Sequence, residues 1–259
     1  MGDIHLKFEV FEGETIARVT VDRTSKLNVL NSALIKKLKD VFVQLADNQE
    51  LRLVILDGAG DTAWVGGADI AEMANFNTAT AAAFISALHQ AMLAIRDLPV
   101  PVVARINGYA LGAGMELAAA CDTRIASTTA KFGMPETRVG IPSVIEASLL
   151  PRLMNPGRAA RLCFTGEIID ARRAYEWGFI EELVAPEELN SAVYSVVRDI
   201  CAAGPNAIRL QKQLLRSWEG MSPDAAAEAS VAVFASAFET DEPKERLGDF
   251  LNKKKSAKS

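Results

Sequence analysis

The sequence predicts an α/β protein that closes in a helical subdomain. Apolar runs of strand length alternate with stretches of helical periodicity as far as residue 184, and from residue 186 only helical patterns follow. The chain has 259 residues, 49% of them hydrophobic and 24% charged, enough apolar material for one large domain with a helical extension. The expected division is a mixed core over residues 1–185 and a helical region over residues 186–259.

Leu6 to Val10 alternates, Glu12-Gly13-Glu14 turns, and Thr15 to Val21 alternates again, the pattern of a hairpin. Leu34, Leu38, Val41, Phe42 and Leu45 fall on one face of a helix from Asn31 to Ala46, with Asn31 or Ser32 as its N-cap. Arg52 to Gly58 is an apolar run ended by a turn and reads as a strand covered on both faces. The unit then recurs. Thr78 to Ile95 is helical, Leu98-Pro99-Val100-Pro101 breaks it, and Val102 to Ile106 is the next strand. Gly112-Ala113-Gly114 opens a helix to Ala120, and Thr123 to Ser127 is another strand. After a loop at Phe132 to Gly140, a helix is expected from about Ser143 to Leu153. Asp170 caps a further helix that Gly178 closes, and Phe179 to Val184 is the last strand. Pro186 to Ala203, Asn206 to Trp218 and Asp224 to Phe238 read as helices, the last begun by Ser222-Pro223. It carries Val231, Phe234 and Phe238 along one face, a stripe that favours burial on its own core or on a neighbouring subunit. Periodicity alone does not separate a Rossmann-like sheet from a spiral of ββα turns.

Composition also excludes. The net charge of −5 argues against a nucleic-acid surface as the main function. Cys121, Cys163 and Cys201 are odd in number and widely spaced, which predicts a reducing compartment such as the cytoplasm and offers no metal spacing. Neither His5 nor His89 has a Cys or His neighbour at ligand spacing, and His89 reads as a helix-surface residue. The start of the chain shows neither a secretory nor a transit pattern. No uncharged apolar stretch reaches the length of a membrane span, so no membrane association is expected.

The chemistry concentrates in three segments. At Gly112-Ala113-Gly114, small residues bring backbone close to a ligand, and a helix N-terminus offers free N–H groups to an oxygen that gains negative charge. The bland alternative is a tight strand-to-helix turn. Gly66-Gly67-Ala68-Asp69 permits unusual backbone angles that would turn the Ala68 amide toward a pocket, while Asp69 caps a helix starting at Ile70. Glu116 lies in the first turn of an otherwise apolar helix, where burial would raise its pKa into the range useful for proton transfer. Glu136 follows Pro135 in a loop.

Taken together the chain resembles the enoyl-CoA hydratase/isomerase (crotonase) superfamily. The carrying residues are Ser25 to Asn31, Val65 to Ile70, Asn107 to Ala118, Phe132 to Glu136, Phe164 to Glu167 and Ala174 to Ile180, and the likeness runs from about residue 5 to 220. It implies a crotonase-like spiral of ββα units, a helical C-terminal region used to form a homotrimer or hexamer, and acyl-CoA thioester substrates. It implies Ala68 and Ala113 as oxyanion amides and Glu116 and Glu136 as an acid/base pair. In hydration, Glu116 would activate water and Glu136 would protonate Cα. Backbone at Lys26, Leu27 and Asn28, with Gly67, Ala68, Asp69 and Ile70, would contact the coenzyme, and Gly112 and Ser143 would line the reacting end. The coenzyme A arrives as part of the substrate, so no metal or other cofactor is needed.

The chain departs from the family pattern after the second glutamate. Ser143 stands where a glycine often lies beside the water, and Val144, Ile145 and Glu146 replace small residues. Glu146 reads as a salt-bridged surface residue on a helix, the alternative being a third acid near the site. Ala113 replaces a commoner glycine and Thr24 the usual proline. The tail at Lys253 to Lys255 is a further candidate coenzyme contact. Enoyl-CoA hydration leads, isomerisation follows closely because one carboxylate can shuttle a proton, and a non-catalytic thioester-binding protein is the third reading.

Overall fold

The computed structural model describes residues 2–256, with side chains through residue 252. Strands β1 (Asp3–Phe11) and β2 (Glu14–Asp22) form the expected antiparallel hairpin. Its two-residue turn holds Glu12 and Gly13 at positive φ, 51° and 89°, which matches the twist of the strands it joins. Helix α1 (Ser32–Ala46) is capped by Asn31, whose side chain accepts from the Leu34 amide.

Three further turns each place one strand in a large sheet, the next in a small sheet, and then a helical segment. The first is β3 (Leu51–Gly58), β4 (Ala63–Val65), α2 (Ile70–Met73) and α3 (Thr78–Arg96). The second is β5 (Val102–Ile106), β6 (Tyr109–Leu111) and α4 (Ala113–Ala120). The third is β7 (Thr123–Ser127) and β8 (Lys131–Gly133), followed by 3-10 turns at Pro135–Val139 and Ile145–Leu149. Then come α5 (Leu150–Met154), α6 (Pro156–Thr165), β9 (Ile168–Asp170), α7 (Ala171–Glu176) and β10 (Glu182–Val184). The large sheet has the order β1-β2-β3-β5-β7-β10 and is parallel from β2 onward; the small one is β4-β6-β8-β9 with β9 antiparallel. This is the ββα spiral, and it decides between the two α/β arrangements left open by periodicity.

Every residue of β3 is buried because its two faces meet different partners. Leu51, Val54 and Leu56 point into the main core with α1, α3 and α4, while Leu53 and Ile55 meet Leu189, Val193 and Val197 of α8 (Leu189–Ala202). The helical region expected from residue 186 thus begins with a helix that belongs to the packing of the large sheet. Helices α9 (Pro205–Trp218), α10 (Pro223–Ala237) and α11 (Glu242–Ser256) follow, α10 capped by Ser222. α9 is tied down by cations on carbonyls: buried Lys212 donates to Val100 O at 2.8 Å and pairs with Asp122 at 2.7 Å. α3 is long and apolar enough by length and composition to cross a membrane. Here it lays Phe84, Leu88, Met92 and Ile95 into the core.

Two expected elements differ. In place of one helix from Ser143 to Leu153, a 3-10 turn precedes α5, because Ile145 adopts φ +40° and α5 starts afresh at Leu150-Pro151. The strand expected from Phe179 begins only at Glu182, since Phe179 and Ile180 are buried in the turn that leaves α7.

Candidate active site

Gly112 sits at φ +51° between β6 and α4, and its amide donates to Gly133 O at 2.9 Å, tying the start of α4 to β8. A side chain here would strike the Glu136 carboxylate. Gly114 answers a different need: a Cβ would overlap the Val65 carbonyl, so its absence lets α4 lie directly on β4. Between them Ala113 is the first residue of α4, where an N–H has no intrahelical acceptor.

The second amide comes from the loop after β4. Gly67 takes φ +121°, its carbonyl accepts from Leu30 N at 2.8 Å, and Asp69 N donates to Leu30 O at 2.9 Å. Ala68 lies between these two bonds, and among the described residues its own N–H donates to no protein acceptor. The Asp69 side chain caps α2 through Ala71 N at 3.0 Å and pairs with Arg23 at 2.6 Å. The Arg23 hydrogen bond, opposed by partial burial, holds its carboxyl below the usual range.

Ala68, Ala113, Glu116 and Glu136 line one cavity of about 810 Å³. Gly67, Ile70 and Gly112 share its wall, and Phe76, Ile85, Leu88, Ile141 and Val144 make much of the rest apolar. Glu116 is only 4% exposed. Burial first, then the facing Glu136 carboxyl, pushes its pKa up to about 8, against the opposing hydrogen bond from Ala147 N at 3.2 Å. Glu136 is also raised by burial, but Ser143 Oγ donates to its Oε2 at 2.9 Å and favours the carboxylate. Both carboxyls are thus raised by burial, and the two titrate as a coupled pair.

The remaining candidate residues have these surroundings. Asn28 is buried and donates its amide to the carbonyls of Ala59, Ala63 and Trp64, so its side chain holds a loop together. Lys26 and Leu27 are exposed and lie outside the cavity wall, although Leu27 O accepts from Gly66 N beside it. Ser143 is not among the lining residues and acts on Glu136 through its hydroxyl. Glu146 is a correction: it is 1% exposed, with its carboxylate paired to His89 Nδ1 at 3.0 Å and Arg96 at 3.7 Å. His89 is indeed on a helix flank, but it faces this buried acid. Cys163, raised by burial and touched by Ser143, also approaches the pair. No local pattern in the sequence announces it. The side chains of Lys253 to Lys255 lie outside the described residues. Among the described residues no three His, Cys, Asp or Glu side chains converge to hold a metal ion.

Known proteins share this arrangement of elements. Residues 12–258 match the profile of the family described as enoyl-CoA hydratase/isomerase. A crotonyl-CoA hydratase of Syntrophomonas wolfei is 37% identical, covering 93% of this chain and 94% of that protein. A short-chain-enoyl-CoA hydratase of Clostridium acetobutylicum is 35% identical, covering 93% and 92%. The crystal structure of an enoyl-CoA hydratase from Bacillus anthracis superposes with a TM-score of 0.91 at 31% identity over 96% of both chains. A ββα spiral with two amides and two carboxyls in one cavity, matched over nearly its whole length, places this chain in the enoyl-CoA hydratase/isomerase family of the crotonase superfamily.

Proposed function

We propose that the chain is an enoyl-CoA hydratase that adds water to a short 2-enoyl-CoA thioester. The observation that carries this reading is the meeting of Glu116 and Glu136 in the cavity wall that also holds the Ala68 and Ala113 amides. The two N–H groups would hold the thioester oxygen as the enolate charge develops, the preorganised stabilisation that contributes most when water is excluded. Hydration needs one carboxylate to take a proton from water as its oxygen adds to Cβ, and one carboxylic acid to protonate Cα. A pair that shares one proton supplies both. Glu116 takes the first task and Glu136 the second, which requires the proton of the pair to stand on Glu136 once thioester and water have entered. Backbone at Lys26 and Leu27 beside the Gly66–Ile70 loop serves the coenzyme end. The chains assemble as a trimer, or a hexamer of two trimers, through the C-terminal helices.

The test is incubation with crotonyl-CoA, following loss of the enoyl-thioester absorbance and the product mass. Gain of one water is expected. Unchanged crotonyl-CoA would defeat the short-chain reading, and if a 3-enoyl-CoA then shifted its double bond without a change of mass, isomerisation would replace hydration.

A further inference from the structure

Glu146 takes no part in the chemistry just described, yet burying a third carboxylate beside two others is costly unless something requires it. Its surroundings show what that is. Glu146 stands in the 3-10 turn Ile145–Leu149, immediately before Ala147, the residue whose amide donates to Glu116 Oε1 at 3.2 Å. One residue earlier, Ile145 is held at φ +40°, a conformation that a β-branched side chain resists. Left to itself this turn would relax, and the Ala147 amide would move with it. The Glu146 carboxylate prevents that by reaching across to α3. His89 Nδ1 lies 3.0 and 3.3 Å from its two oxygens, and Arg96, two turns further along the same helix, lies 3.7 Å away. Arg96 is itself held by Glu219 at the end of α9.

We propose that Glu146 is a positioning residue for Glu116: its hydrogen bond with His89 and its ion pair with Arg96 clamp the strained turn that presents the Ala147 amide to the catalytic carboxyl. This rests on the hydratase reading, in which Glu116 acts on water. It also explains how the chain tolerates a β-branched residue at positive φ at position 145. The clamp supplies from outside the turn the order that a residue able to adopt positive φ would give from within.

The experiment compares the full-length wild type with Glu146→Gln and with the double variant Ile145→Gly/Glu146→Gln, measuring kcat and KM for crotonyl-CoA and the thermal transition. Glutamine keeps the shape and removes the charge. The expected loss in kcat for Glu146→Gln is on the order of tenfold, because misplacing a reacting group by a fraction of an ångström has that effect. KM should stay within about twofold, since the thioester amides are untouched. Glycine at 145 accepts φ +40° without strain, so the double variant should recover most of the lost kcat. Wild-type kcat in Glu146→Gln overturns the proposal. So does a fall in kcat and transition temperature together with a rise in KM that glycine at 145 fails to reverse, the mark of a purely structural ion pair. A wild-type chain inert toward crotonyl-CoA defeats instead the reading on which the proposal rests.

Discussion

At the scale of single residues the behaviour of this site follows from one desolvated carboxyl. Glu116 has a pKa of about 8 in the fold against an ordinary value of 4.5. Below 4.5 the folded and unfolded chains both carry the proton. Between 4.5 and about 8 the unfolded chain loses it while the folded one keeps it, so this group's contribution to stability falls as pH rises and is fully lost above about 8. Glu116→Gln, neutral at every pH, should therefore melt at a higher temperature than wild type by a margin that widens from pH 5 to pH 8 and then levels. A margin independent of pH would mean that the carboxyl is not desolvated. The same pair governs turnover. Hydration needs one proton on the two glutamates, so kcat/KM should follow a bell with its basic limb near pH 8. A rate still climbing above that limb would exclude the protonated pair as the working form. Glu116 was legible in the sequence because its neighbours Met115 and Leu117 to Ala120 are apolar, which announces burial. Asn28 and Glu146 were not. Their partners, Ala59 to Trp64 for one and His89 with Arg96 for the other, are remote in sequence and brought close only by the spiral.

At the scale of elements the site is a product of close backbone approach. α4 reaches β4 because Gly114 has no side chain, and Gly112 leaves room for Glu136 at the helix start. Replacing Gly112 by Ala should therefore act on the chemistry more than on the fold. The Cβ meets the far end of the Glu136 side chain rather than backbone, and the conformation at φ +51° and ψ −120° adds strain of about 1–3 kcal/mol. The expected outcome is a drop in kcat of about a hundredfold with a thermal transition lowered by only several degrees. An unaltered kcat would show that Glu136 does not need the place it now occupies. The glycines were readable as punctuation in the sequence, and so were the long amphipathic helices and β3. The small sheet was not. β4, β6, β8 and β9 are three residues each, too short to establish a period of two, and most of their residues are buried, which erases alternation. The break at Ile145 is hidden for a related reason: Ser143 to Leu153 has a helix-like composition, and Ile145 takes positive φ in a turn packed against a core that the local sequence does not display.

At the scale of the whole molecule the fold leaves one helix with its apolar stripe uncovered. The stripe predicted for α10 is present, but it packs on no core of its own chain: Val231, Phe234 and Phe238 are 69%, 70% and 56% exposed. Leu247, Phe250 and Leu251 of α11 are exposed as well. Contiguous exposed aromatics are costly in water and mark an interface. The main core and α8 already seal the spiral, so these helices are the part of the chain with packing still to make. If they assemble copies of the chain into a trimer, a charge in the middle of the stripe should dissociate it, because a desolvated carboxylate without a partner has no place in an apolar contact. Phe234→Glu is expected to convert the trimer to a monomer, read as a threefold fall in mass by light scattering. The site lies at α4 and the Pro135–Val139 turn rather than on α10, so residual hydration by the dissociated chain would separate the requirement for assembly from the requirement for the glutamate pair. A wild-type chain that is already monomeric, or a variant that stays assembled, would remove α10 from the interface and leave its aromatic stripe to a partner of another kind.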